Sequence, residues 1–249
     1  MKFIVLIALL GFINISVAQG VTYLVTEGNV LRKNMKDGEA LQKYMEALRL
    51  SPNDFSALVA TSESYSIIGA REKDKRKQSE YFEAAKIYAG SALAVAKDSA
   101  QSHYVMALAA EKMASVSSGK ERAAYMRDLK TQADSTIAIS PDHVYATHLL
   151  GKWNMDISSK NVAEKAALKV LYGGLPSASL EVALLNFEKV RRLDPWFVAN
   201  YLELAKAYKA AGKSDKSIEV LNRMIKLPPR TADDAALKAE GKKMLESLL

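Results

Sequence analysis

Pro195 and Pro229 stand 34 residues apart, and each closes a stretch whose apolar residues recur at helical spacing. The same kind of boundary appears at Leu50-Ser51-Pro52-Asn53-Asp54, Ile139-Ser140-Pro141-Asp142, Leu193-Asp194-Pro195-Trp196 and Leu227-Pro228-Pro229. Proline has no N–H to give and its ring clashes with the preceding turn, so a helix must stop there. Little else in the chain breaks a helix. Its 249 residues include 12 glycines and 6 prolines against 37 alanines, the strongest helix former. Such a chain folds as helices between fixed turns. Pro52 and Pro141 are separated by 89 residues, room for two units, with Lys97-Asp98-Ser99 as a boundary lacking proline.

A period of 34 is that of the tetratricopeptide repeat, two antiparallel helices whose apolar stripes are hidden only by stacking on the next pair. The internal pattern agrees. Counting back from Pro195, Ala183, Phe187 and Val190 fall at the offsets that Ala40, Tyr44 and Ala47 occupy before Pro52. A small residue, an aromatic and another small or apolar residue suit the second helix of a pair. Ser217, Leu221 and Met224 repeat the pattern more weakly before Pro229, where the first helix is better marked by Tyr201, Leu204, Ala205 and Tyr208 with Gly212 in the turn.

The reading predicts an all-α fold, a tetratricopeptide-type α-solenoid of about five helical hairpins with an inserted helix and a C-terminal capping helix. The helices are expected at 21–35, 38–51, 54–70, 77–97, 100–117, 119–140, 143–158, 160–172, 178–193, 197–211, 214–227 and 231–248. Segment 71–78 lengthens one hairpin, 157–179 carries the inserted helix, and Gly173-Gly174 before Leu175-Pro176 reads as a helix stop. The closing helix is expected to start on a Thr231 cap with Asp233 and Asp234 in its first turn.

Residues 1–18 read as a secretory signal peptide: Lys2, an apolar run from Phe3 to Ile13, then Ser16-Val17-Ala18 before a cut ahead of Gln19. The run is too short to span a bilayer, which takes roughly 20 residues, and Asn14 interrupts it. Residues 19–249 form one domain, with no transmembrane span in the mature chain. Periplasm, cell envelope or the exterior is the expected location. With no cysteine, disulfides, thiolate metal sites and a cysteine nucleophile are excluded. The net charge of +7 is spread among acids along the chain, a solvated helical surface rather than a nucleic-acid footprint.

The second half carries a more specific pattern. In order come Tyr104 within His103-Tyr104-Val105-Met106-Ala107, then Leu149-Leu150-Gly151-Lys152-Trp153, Glu164-Lys165-Ala166-Ala167, Leu171-Tyr172-Gly173-Gly174-Leu175-Pro176-Ser177 and Ala183-Leu184. Phe187, Leu193-Asp194-Pro195, Leu227-Pro228 and Thr231-Ala232-Asp233-Asp234 follow. Over residues 100–249 this resembles the tetratricopeptide domain of the regulator of microtubule dynamics family. The resemblance implies a helical domain of four to five repeats without a catalytic site. Eukaryotic relatives are linked to microtubules and organelle contact sites, a role an exported chain does not share.

No pattern for catalysis, cofactor or metal binding stands out. His143 and His148 are five residues apart, which sends them to different helix faces; no HExxH, GxSxG or phosphate-cradling glycine loop occurs. Glu164, Glu181 and Glu188 read as surface helix charges. The basic run Arg71 to Lys77 reads as a solvated helix start or loop, with an anionic surface as its alternative. Repeats of this type act through the face lined by the first helix of each pair. On the expected register that face includes Val59, Glu63 and Leu108. Its candidate partner groove comprises Tyr104, Tyr145, His148, Lys152, Leu202, Lys206 and Lys209, aromatic at its base and basic along the rim of its C-terminal half. The expectation is a non-catalytic scaffold for a protein or peptide partner. The rival is a carrier of a lipid or other anionic amphiphile, opened by the inserted helix.

Overall fold

A computed structural model describes residues 2–172 and 177–249. Among the described residues there are helices and no strand: α1 (Lys2–Lys33), α2 (Asp37–Leu50), α3 (Phe55–Arg71), α4 (Lys75–Val95), α5 (Ala100–Val116), α6 (Gly119–Ile139), α7 (Val144–Ser158), α8 (Val162–Tyr172), α9 (Leu180–Leu193), α10 (Val198–Ala210), α11 (Ser214–Ile225) and α12 (Asp234–Glu246). The proline-marked turns fall where the sequence places them. Those after Pro52 and Pro141 also supply the polar group that the next helix start needs: Asp54 Oδ1 accepts from Ala57 N at 2.8 Å, and His143 Nδ1 from Ala146 N at 3.2 Å.

The helices form two compact units, Met1–Asp98 and Ser99–Leu249. In the first, α1 packs on α2, α2 on α3 and α3 on α4. Bare backbone lets the paired helices close up. A Cβ at Gly28 would stand 2.4 Å from the Tyr44 ring, and one at Gly69 would stand 2.7 Å from Tyr81 Cβ. Ion pairs from Arg32 to Glu63 at 2.5 Å and from Arg71 to Asp37 at 2.6 Å tie α1 and α2 to α3.

In the second unit α5 pairs with α6, α7 with α9 and α10 with α11, while α12 lies against both α10 and α11. Apolar clusters of the described residues hold it. One joins Phe187, Leu202, Leu204, Leu221 and Met224 from α9 to α11; another joins Met126, Leu129, Trp153 and Ile157. Ser217 Oγ donates to Ala205 O and Asn200 Nδ2 to Phe187 O, each at 2.9 Å, so polar side chains inside the pairs are satisfied by backbone. Helix α8 is the insertion. It leaves the α7–α9 pairing intact and rests on α6, with Leu168 against the Trp153 cluster.

Three expectations need correction. Helix α1 reaches back to Lys2 instead of starting near residue 21, because the apolar run before it contains no proline to stop it. Only residues 72–74 separate α3 from α4, since Asp74 accepts from Arg76 N and Lys77 N and starts the helix inside the basic run. At α12 the expected Thr231 cap is not made: Asp233 holds the N-cap position without a side-chain cap bond, and the first helical residue, Asp234, instead ties down the turn before the helix. Its Oδ2 accepts from Arg230 N at 2.7 Å and Thr231 N at 3.0 Å, and Thr231 Oγ1 itself donates to Asp234 Oδ1 at 2.7 Å. A carboxylate can accept from two N–H groups and a hydroxyl at once, so Thr231 serves as donor to Asp234 and not as the cap. The expected stop at Gly173-Gly174-Leu175-Pro176 lies outside the described residues.

Candidate functional site: the face of α5, α7, α10 and α12

These four helices run side by side in the second unit, and their shared face carries two rows of side chains. The first is aromatic. Tyr104 of α5 lies 4.8 Å from the His143 ring and 5.8 Å from Tyr145; Tyr145 meets Phe197 edge-on at 5.3 Å, and Phe197 lies 4.9 Å from His148. Tilted and edge-to-face contacts at these separations are the favoured aromatic geometries. Tyr145 keeps 45% of its surface exposed, an apolar platform with a polar tip.

The second row is charged, with acids and lysines paired within and between the helices. Glu111 of α5 pairs with Lys152 of α7, and also with its own neighbour Lys112 at 3.0 Å. On α10, Glu203 pairs with Lys206 at 3.0 Å; Lys206 then reaches Glu240 of α12 at 2.9 Å. Burial works against the ionised Glu111, yet the Lys112 and Lys152 ammonium groups outweigh it and hold the carboxyl well below the usual range. Burial likewise acts to lower Lys152 and Lys206, and the facing carboxylates of Glu111 and Glu203 reverse that and raise both.

His148 sits beneath these rows, buried, with Nδ1 3.1 Å from Asn200 Oδ1. Burial, reinforced by the Lys152 charge, pulls its pKa down to about 4 against the opposing pull of that hydrogen bond. The imidazole is therefore neutral at pH 7. Among the described residues no three His, Asp or Glu side chains are grouped to hold a metal ion.

The structure brings Tyr104, Tyr145, His148, Lys152 and Lys206 onto this one face. Leu202 departs from the expected groove: at 1% exposure it belongs to the core and offers a partner no surface. Lys209 is exposed at the end of α10. The basic rim is also corrected, because Lys152 and Lys206 are each matched by acids. Glu111, Glu203, Glu240 and Phe197 were not among the expected groove residues. Phe197 was legible, standing two residues after its turn proline as His143 does after Pro141. The Glu203–Lys206 spacing was also legible. The Glu111–Lys152 pair, 41 residues apart, leaves no local signal.

Helical pairs repeated around a shared open face make this a tetratricopeptide-type helical-repeat protein. A Thermus thermophilus protein described as a thermophilic TPR protein superposes with a TM-score of 0.65 at 14% identity, covering 90% of this chain and 99% of that one. The chain belongs to the family described as Regulator of microtubule dynamics protein 1-3, which matches residues 24–249. It is 31% identical to the bovine Regulator of microtubule dynamics protein 2 over 120 residues, 48% of this chain and 29% of that protein. Rat Regulator of microtubule dynamics protein 3 is 26% identical over 209 residues, 84% of this chain and 44% of that one. The chain thus matches less than half the length of either relative.

Proposed function

We propose that the protein is an exported, non-catalytic scaffold that binds an extended segment of a partner protein on the face of α5, α7, α10 and α12. The observation that carries this reading is the half-exposed Tyr145, seated on Tyr104 and Phe197 on the face that also carries the ion-paired Lys152 and Lys206. Buried apolar anchors beside fixed charges favour a peptide that brings its own aromatic or aliphatic side chain and mixed charges. Carboxylates on the partner would compete with Glu111 and Glu203 for the lysines. The fold of the regulator of microtubule dynamics family supports a binding role; an exported chain meets no microtubules, so that part of the relatives' name is not carried over.

The test is affinity capture of the protein from envelope extract, alongside Tyr145→Ala and Lys152→Glu/Lys206→Glu variants. Loss of the captured partner at unchanged melting temperature for Tyr145→Ala supports the face. Retention by both variants overturns it, and phospholipid co-purifying in native mass spectrometry in place of a protein favours the amphiphile carrier. Export is tested on the protein recovered from the same cells: an N-terminus at Gln19 in the envelope fraction supports cleavage, and intact Met1 in the cytosol rejects it.

A further inference from the structure

On the second unit, α9, α10 and α11 border an open cleft of about 540 Å³. Its lining is basic. Arg192 from the last turn of α9, Arg223 from the last turn of α11 and Lys226 at the end of α11 all border it. Their charges are unmatched: all three are exposed, and none makes an ion pair or side-chain hydrogen bond among the described residues. Elsewhere in this unit several cations that reach another element are paired, as Arg122 is with Asp156 at 3.1 Å, Lys189 with Asp142 at 3.1 Å and Arg230 with Asp194 at 2.8 Å. A fourth lining cation, Arg191, is already held by Glu188 at 2.8 Å. Basic residues near helix C-termini complement the helix dipole, which accounts for one at each end. It does not account for three from two helices bordering one concavity.

We propose that this cleft binds a phosphate-bearing anion, a phosphomonoester or pyrophosphate, between Arg192, Arg223 and Lys226. Two guanidinium forks and an ammonium suit a tetrahedral oxyanion with several acceptor oxygens. Set against Glu219, the single acid of the lining, these three cations leave two positive charges, which matches a phosphomonoester dianion at pH 7. The floor is Tyr201 and Val220, both buried. The Tyr201 hydroxyl donates to Pro195 O at 3.1 Å, so this buried floor is fixed in place and the cations above it carry the recognition.

The experiment titrates the full chain with pyrophosphate and with glycerol 3-phosphate by calorimetry, and separately with phosphatidylcholine vesicles carrying phosphatidate. Arg192→Gln/Arg223→Gln is compared with Lys242→Gln/Lys243→Gln, two exposed lysines on α12 whose loss lowers the net charge equally. All four side chains are exposed, so helical circular dichroism stays the same. The expected result is binding of the soluble phosphates that weakens about tenfold or more in the arginine variant and less than about twofold in the lysine variant. The same contrast seen only with vesicles supports the site and makes the ligand a lipid headgroup. Absence of binding in every arm, or equal weakening in the two variants, overturns it.

Discussion

Phe187 lies directly over the bare Cα of Gly151: a Cβ built there would stand 2.5 Å from the ring's Cε1. Helices α7 and α9 close to this distance because position 151 has no side chain, and Phe187 is fully buried with nowhere to retreat. Gly151→Ala should therefore destabilise the second unit by about 1–3 kcal/mol despite alanine's better helix propensity. Gly90→Ala in α4 is the matched control. Nothing lies within 4 Å of its Cβ position, so propensity alone acts and a gain of about 0.5–1 kcal/mol is expected. Urea denaturation of both variants checks the contrast; a stabilised Gly151→Ala protein would contradict it.

The Glu111–Lys152 pair links α5 to α7 with side-chain exposures of only 15% and 33%. Glu111→Leu leaves a half-desolvated ammonium without its acid and should cost about 1–3 kcal/mol, at the low end of buried-pair losses because Lys152 still reaches water. Adding Lys152→Leu should recover part of that, since two aliphatic side chains then meet in place of the pair while Lys112 still lacks the acid it shared. A double-mutant cycle by chemical denaturation measures the coupling, and additive losses would show that the pair does not act as a unit.

Acid sensitivity follows from His148. Its folded pKa of about 4 lies below the ordinary 6.5, so between those values the unfolded chain takes up a proton that the folded chain refuses. Stability contributed by the neutral imidazole is complete above pH 6.5 and is lost as pH falls toward 4, up to about 3 kcal/mol over that interval. Glu111, held below its ordinary 4.5, loses its contribution only at lower pH still. His148→Gln should flatten the pH dependence of the melting temperature between about 6.5 and 4.5 while leaving the steeper acid limb; an unchanged slope would mean that the imidazole is already charged in the fold.

The helix boundaries were readable because proline and the capping groups after it act locally: Pro52 with Asp54, or Pro141 with His143, need no partner far away to stop one helix and start the next. The small-over-aromatic contacts were half readable, since Ala183 and Phe187 show in the spacing, whereas the glycine that Phe187 meets at 151 belongs to another helix. The charges were the least readable. Lys152 and Lys206 look like free surface lysines in the sequence, and only the lateral order of α5, α7, α10 and α12 places Glu111 and Glu240 opposite them. Leu202 was misjudged for a related reason: α10 is covered by α9, α11 and α12, so the stripe facing a partner is narrower than the helical period suggests.

The two tryptophans, Trp153 and Trp196, report on different parts of the second unit. Trp153 is 2% exposed, donates Nε1–H to Met126 O at 3.0 Å and lies under the Lys130 ammonium at 5.4 Å from the ring centroid. Trp196, 45% exposed, stands at the turn before α10. Iodide should quench only the Trp196 component, and Trp196→Phe should leave emission that is blue-shifted and protected. Trp153→Phe removes the hydrogen bond, the cation–π contact and part of the ring volume that joins α6 to α7, and should destabilise by about 1–3 kcal/mol. If iodide quenches the Trp196→Phe protein as fully as the parent, the α6–α7 pairing around Trp153 is open to water and the packing of that pair is wrong.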